Sequence, residues 1–110
     1  MIDLSVLAPD VANIAKEAGA YLRKSQTNFD RNLVELKSLN ALVSNVDRSA
    51  EKLIVSALKL LIPEAGFLTE EGTTPQDTTK QYLWVIDPLD GTTNFVHGLP
   101  IFSVSIALLH

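Results

Sequence analysis

The sequence predicts an α+β domain, and three observations carry that prediction. In the amino-terminal half, apolar residues recur every three or four positions in two separate stretches, the period of amphipathic helices. In the other half, short apolar runs are broken by Gly, Pro and polar residues, the pattern of strands and turns. The 110 residues, 46% of them hydrophobic, suffice for one core and leave no room for a second complete domain.

The elements follow in order. Over residues 9–26, Val11, Ile14, Ala15, Ala18 and Leu22 form an apolar stripe, with Lys16, Glu17, Arg23 and Lys24 between them. Pro9 suits the first turn of that helix, where its missing N–H costs nothing. Residues 27–47 are short-patterned and mixed: Leu33-Val34-Glu35-Leu36 and Ala41-Leu42-Val43 flank a turn-like Lys37-Ser38-Leu39-Asn40. This predicts a β-hairpin. A second helical stripe, Ala50, Ile54, Ala57, Leu58 and Leu61, ends at Pro63 and Gly66, with Asp47 as its expected N-cap. Residues 66–69 read as a short strand delivering Glu70 and Glu71, residues 72–80 as a polar loop, and residues 82–86 as a buried strand. After residues 87–94 comes a short apolar turn or helix, then Gly98-Leu99-Pro100 as a breaker, then a strand over residues 102–109. There is no internal repeat.

Composition narrows the function. A net charge of −4 argues against a broad basic surface for nucleic acid, whose phosphates need clustered Lys and Arg. Without Cys there is no disulfide, no thiolate nucleophile and no sulfur ligand for zinc. Any bound metal would have to rely on oxygen and two His, which favours hard cations such as Mg²⁺. His97 and His110 lack the spacing of a ligand pair. No basic n-region precedes an apolar segment, and no apolar run approaches the ~20 residues of a membrane helix, so a soluble cytoplasmic protein without a membrane partner is expected.

Charge is also unevenly placed. All nine Lys and Arg lie at or before Lys80, whereas residues 82–110 hold two acids, Asp87 and Asp90, and no Lys or Arg. Asp87 directly follows a buried apolar strand. Burying ionised carboxylates unpaired costs several kcal/mol each, so both must be solvated, protonated or coordinated. A divalent metal would satisfy the two together. Pro88 stiffens the backbone between them, and Gly91-Thr92-Thr93 looks like a helix start whose N–H groups favour a phosphate. The same letters also suit an ordinary turn and helix cap.

The longer stretch separates these readings. Trp84-Val85-Ile86-Asp87-Pro88-Leu89-Asp90-Gly91-Thr92-Thr93-Asn94-Phe95, continuing through Pro100 to Val104-Ser105-Ile106-Ala107, resembles the first signature of the inositol monophosphatase family, in the metal-dependent, lithium-sensitive phosphatase superfamily. Upstream, Ser44-Asn45-Val46-Asp47 and Phe67-Leu68-Thr69-Glu70-Glu71-Gly72 look like that family's Asp and paired-Glu segments. The resemblance spans residues 16–109. It implies a layered α/β sandwich, here with two amino-terminal helices packed on a mostly antiparallel sheet.

The resemblance also implies a chemistry: hydrolysis of a phosphate ester by metal-activated water, with two or three Mg²⁺ ions and no phosphoenzyme. Glu70, Asp87 and the Leu89 carbonyl would hold one ion, and Asp87 with Asp90 a second. Thr92, paired with Asp47, would orient and deprotonate the water. The N–H groups of Gly91 and Thr92 would cradle the phosphate, with Asp90 also on the substrate side. Inositol monophosphate is the leading substrate among small phosphorylated polyols and sugars, and fructose 1,6-bisphosphate, adenosine 3',5'-bisphosphate and histidinol phosphate are alternatives. A regulatory binding protein of the same family is the alternative from another class.

The family's second signature, a Trp-Asp pair followed by small residues and Gly, has no match here. The expectation is therefore an amino-terminal portion that binds Mg²⁺ weakly and turns over poorly alone. Its apolar terminal strand should seek a partner, and a homodimer is expected.

Overall fold

In the computed structural model, residues 2–28 and 36–110 are described, residues 36–39 without their side chains. Helix α1, Leu4–Thr27, begins ahead of Pro9. The Asp3 carboxylate caps it, accepting from the Ser5 N–H at 2.9 Å and the Ser5 hydroxyl at 2.6 Å. Pro9 thus falls inside the helix, on an exposed position where water can take up the carbonyl that its missing N–H leaves free.

Helix α2, Leu36–Leu61, corrects the expected hairpin over its described part. Of the first strand of that hairpin, residues 33–36, residues 33–35 lie outside the described residues and Leu36 opens α2. Val43, Val46, Ala50, Ile54 and Leu58 are all buried, and only a helix gathers that spacing on one stripe. As a strand, Val43 and Val46 would have faced opposite ways. Asp47 is therefore not an N-cap but an interior residue of α2.

Three strands follow: β1, Gly66–Thr69; β2, Leu83–Asp90; and, after the short helix α3, Thr92–Val96, β3, Ser103–Leu109. Their order is β1-β2-β3, with β1 parallel and β2 antiparallel to their neighbours in turn, the antiparallel ladder being the longer. The outer edge of β1 is covered by its own following loop: Thr69 N–H donates to Gln76 Oε1 at 2.6 Å, and Asp77 N–H to the Phe67 carbonyl at 3.1 Å. That arrangement removes an edge that would otherwise template further strands.

The two helices lie against one face of the sheet. Ile14, Ala18, Ile54, Val55, Leu58, Ile62, Phe67, Trp84 and Ile86 make the larger core. A second core, Leu22, Val43, Val46, Ala50, Leu89 and Phe95, sits beneath the end of β2 and carries α3. Each Val, Leu, Ile or Phe among them, fully buried, contributes about 1.5–3 kcal/mol. The buried Gln26 of α1 adds a polar tie, donating to the Phe95 and Leu99 carbonyls, both at 3.1 Å. On β3, Val104, Ile106 and Leu108 turn toward the helices, while Ser103, Ser105, Ala107 and Leu109 are exposed on the uncovered face. No helix among the described residues is long and apolar enough to cross a membrane.

Candidate active site

Strand β2 runs past the expected boundary at Ile86 and carries both signature acids. In a regular strand, residues three apart face opposite ways. Here Asp87 pairs with Ser105 and Asp90 with Ser103, so three steps on β2 match two on β3. The extra residue is a β-bulge at Pro88-Leu89. Since Ser103 and Ser105 share a face, the bulge sets Asp87 and Asp90 on the same side of the ladder, while Pro88 and Leu89 are both buried. Leu89 N–H donates to Asp87 Oδ1 at 3.2 Å, which ties the first acid to the bulge backbone.

Gly91 ends the strand in the left-handed region, φ 95°, and caps α3. A Cβ there would sit 3.0 Å from the Ile101 carbonyl oxygen and 3.2 Å from Phe102 Cα, so both conformation and space demand glycine. Helix α3 is too short for a large dipole. Any hold on a phosphate would come from individual N–H groups at its start. The Thr92 hydroxyl donates to the Leu89 carbonyl at 3.4 Å rather than to Asp47.

The remaining acids arrive from two elements. Glu70 follows β1 and is exposed, its N–H donating to the Ile86 carbonyl at 3.2 Å, which places it beside Asp87 by register. Asp90 is also exposed, and Asp87 and Glu71 are half-buried. From α2 comes Asp47, 9% exposed, with a buried Oδ1 that has no hydrogen-bond partner. Burial, the negative charge of Glu71, a hydrogen bond with that carboxyl and the charge of Asp87 push the Asp47 carboxyl up to about 7, against a weaker pull from Arg48. Arg48 itself is engaged with Ser44 and Asn45. The only ion pair among the described residues, Lys80 with Asp77, involves none of the site acids.

Asp47, Glu71 and Asp87 thus interact, Asp87 and Asp90 share a side, and Glu70 adjoins Asp87. Among the described residues, however, no three His, Asp or Glu side chains converge closely enough to hold an ion by themselves. The donors fit a hard divalent cation in kind, being all oxygen, in no ion pair among the described residues and including an orphaned buried carboxylate oxygen. They form part of a ligand set and not a closed cage.

Sequence reasoning missed one acid. Glu51 is completely buried, and it accepts from Glu71 N–H at 2.8 Å, Thr73 N–H at 2.9 Å and the Thr73 hydroxyl at 2.5 Å. The available signal was an acid four residues after Asp47, between the stripe residues Ala50 and Ile54.

Comparison with known proteins bears on the family and the fold. The profile described as inositol monophosphatase family matches residues 3–110. The chain is 46% identical to Nus factor SuhB of Vibrio cholerae over 94 residues, covering 86% of this chain and 35% of that protein. It is 41% identical to the inositol-1-monophosphatase of Mesorhizobium japonicum over 104 residues, covering 94% of this chain and 39% of that one. Among solved structures, the inositol monophosphatase of Anabaena superposes with a TM-score of 0.76 at 30% identity, covering 98% of this chain and 36% of that one. The extragenic suppressor protein suhB of Bartonella henselae gives 0.74 at 36% identity, covering 94% and 38%. The chain therefore spans little more than a third of these relatives' length.

Proposed function

Because this chain belongs to the inositol monophosphatase family, we propose that it supplies the amino-terminal part of a Mg²⁺-dependent site for hydrolysing a small phosphate monoester, inositol monophosphate foremost. The observation that carries this reading is the bulge that sets Asp87 and Asp90 on one side of β2, beside unneutralised acids from β1 and α2. Glu70, Asp87 and the Leu89 carbonyl are the proposed ligands of one ion, and Asp87 with Asp90 those of a second. Bound Mg²⁺ would acidify a water and offset charge on the phosphate oxygens.

The chain's own groups have separate tasks in this proposal. Asp47 is held at a pKa of about 7 without metal, which suits a group that must accept a proton near neutrality. Thr92 would orient the water through its hydroxyl, with its alternative partner the Leu89 carbonyl. The N–H groups of Gly91 and Thr92 would receive the phosphate as fixed donors. The alcohol is left unspecified by these residues, so the other phosphorylated sugars and nucleotides remain substrates of the same chemistry.

Phosphate release from inositol monophosphate, by this chain joined to the remaining length of a family member, tests the proposal. Hydrolysis should require Mg²⁺ and fall about a thousandfold or more in Asp87→Asn. Full activity in that variant would sink it. A second reading is favoured by the relatives named Nus factor SuhB: a regulatory binding protein of the same family. Unchanged function of Asp87→Asn in cells, with hydrolysis lost, would select that reading.

A further inference from the structure

We propose that Glu51 is a positioning residue for the metal site: its buried carboxylate latches the backbone of residues 71–73 to α2 and so fixes Glu70 and Glu71 against Asp87 and Asp47. This rests on the Mg²⁺ reading above. An acid on the apolar stripe of a helix is costly unless its oxygens are satisfied. Both are satisfied here by neutral donors of a single loop: Oε1 by Glu71 N–H, Oε2 by the N–H and hydroxyl of Thr73. Bonds from such donors to a charged acceptor are stronger than neutral pairs.

The placement of the latch gives it more than a gluing role. Glu51 lies one turn after Asp47, so the same face of α2 meets Glu71 twice, the Glu51 carboxylate at its N–H and the Asp47 carboxyl at its side chain. The preceding residue is held from the other side, since Glu70 N–H donates to the Ile86 carbonyl of β2. The Glu70-Glu71 peptide is therefore pinned between the strand that carries Asp87 and the helix that carries Asp47. Gly72, at φ 62°, turns the chain back so that Thr73 reaches the same carboxylate, and its own N–H donates to Thr69 Oγ1 at 3.1 Å. If the latch opens, one anchor of the pair is lost while β1, β2 and both cores stay in place. The expected effect is on ligand geometry before it is on the fold.

Glu51→Gln keeps the size and one acceptor oxygen but turns an NH₂ toward the loop's donors, and Thr73→Ala removes only the hydroxyl bond. Mg²⁺ titration and amide hydrogen exchange are read on wild type and both variants, each joined to the remaining length of a family member, beside thermal melts. In Glu51→Gln, exchange at Glu71 and Thr73 should accelerate at least tenfold and Mg²⁺ affinity should fall about tenfold or more, while the melt stays cooperative. Thr73→Ala should weaken Mg²⁺ about two- to threefold, and it tests the latch even if Glu51→Gln fails to fold. Mg²⁺ affinity within experimental error of wild type in the folded variants would overturn the inference and leave the metal reading intact. A wild-type joined protein that binds no Mg²⁺ would overturn the metal reading and the inference with it.

Discussion

Two successive turns of α2 each bury a carboxylate, and the two are treated in opposite ways. Glu51 is surrounded by donors and leaves no oxygen unused. Asp47, four residues earlier, faces Glu71 and Asp87, and one of its oxygens has no partner. A buried acid with all its bonds made holds structure together. One left beside other acids stores a free-energy cost that a cation or a proton can relieve. The contrast separates, along one helix, an acid that supports the fold from one left exposed to like charge.

The largest expected effect that could break this comparison is on pH dependence. The Asp47 carboxyl titrates at about 7 in the folded chain, against 3.8 for an unperturbed Asp. The folded state thus holds the proton more tightly, and stability should be intact below about pH 4, fall as pH rises to about 7, and level off above it. The loss amounts to roughly 4 kcal/mol at most. Urea melts of the metal-free chain between pH 4 and 8 should show this slope, and Asp47→Asn should flatten it. An equal slope in both proteins would remove Asp47 from the account.

Next in size is Glu51→Ala, which strands buried donors and should cost about 2–3 kcal/mol at every pH in that range. At pH 8, Asp47→Asn should instead be neutral or stabilising, because it removes like-charge repulsion. Finding the two substitutions equally damaging in denaturant melts would erase the distinction between them. The smallest effect sharpens it. Millimolar Mg²⁺ at pH 8 should raise the stability of wild type by about 1 kcal/mol if its dissociation constant is a few tenths of a millimolar, read as a shift in melting temperature that Asp87→Asn lacks.

Much of this was legible in the chain, and the failures have physical causes. The β1 and β3 boundaries and the loop after Glu71 follow from local chemistry, Gly and Pro at breaks with apolar runs between them, whereas Asp87 and Asp90 stand out from an ordinary turn only through the longer resemblance to the family's signature. The amino-terminal portion of α2 was misjudged because short windows around Val43 cannot distinguish three- and four-residue spacing from alternation. Extending the window to Ile54 reveals the stripe. Asp before a helical pattern usually caps it, so the local sequence predicts a cap at Asp47 where the structure has a helix interior. What no window contains is the pairing of distant elements: that Glu51 would meet Thr73, that Asp47 would lie under the charge of Asp87, and that β3 would align with β2 one residue out of step.

That last misalignment makes chain length itself a chemical variable. With one extra residue between them, the two aspartates occupy equivalent phases of the strand although an odd number of steps separates them. Remove either Pro88 or Leu89, and an even count would be reached by losing the bulge, with the ladder made regular and either a buried proline or a leucine of the second core gone. The acids could then keep a common side only by giving up the kink that turns the chain into Gly91. The segment therefore resists deletion for a reason distinct from the identity of any residue in it: its arithmetic, as much as its carboxylates, keeps the acids and the Gly91 turn in one place.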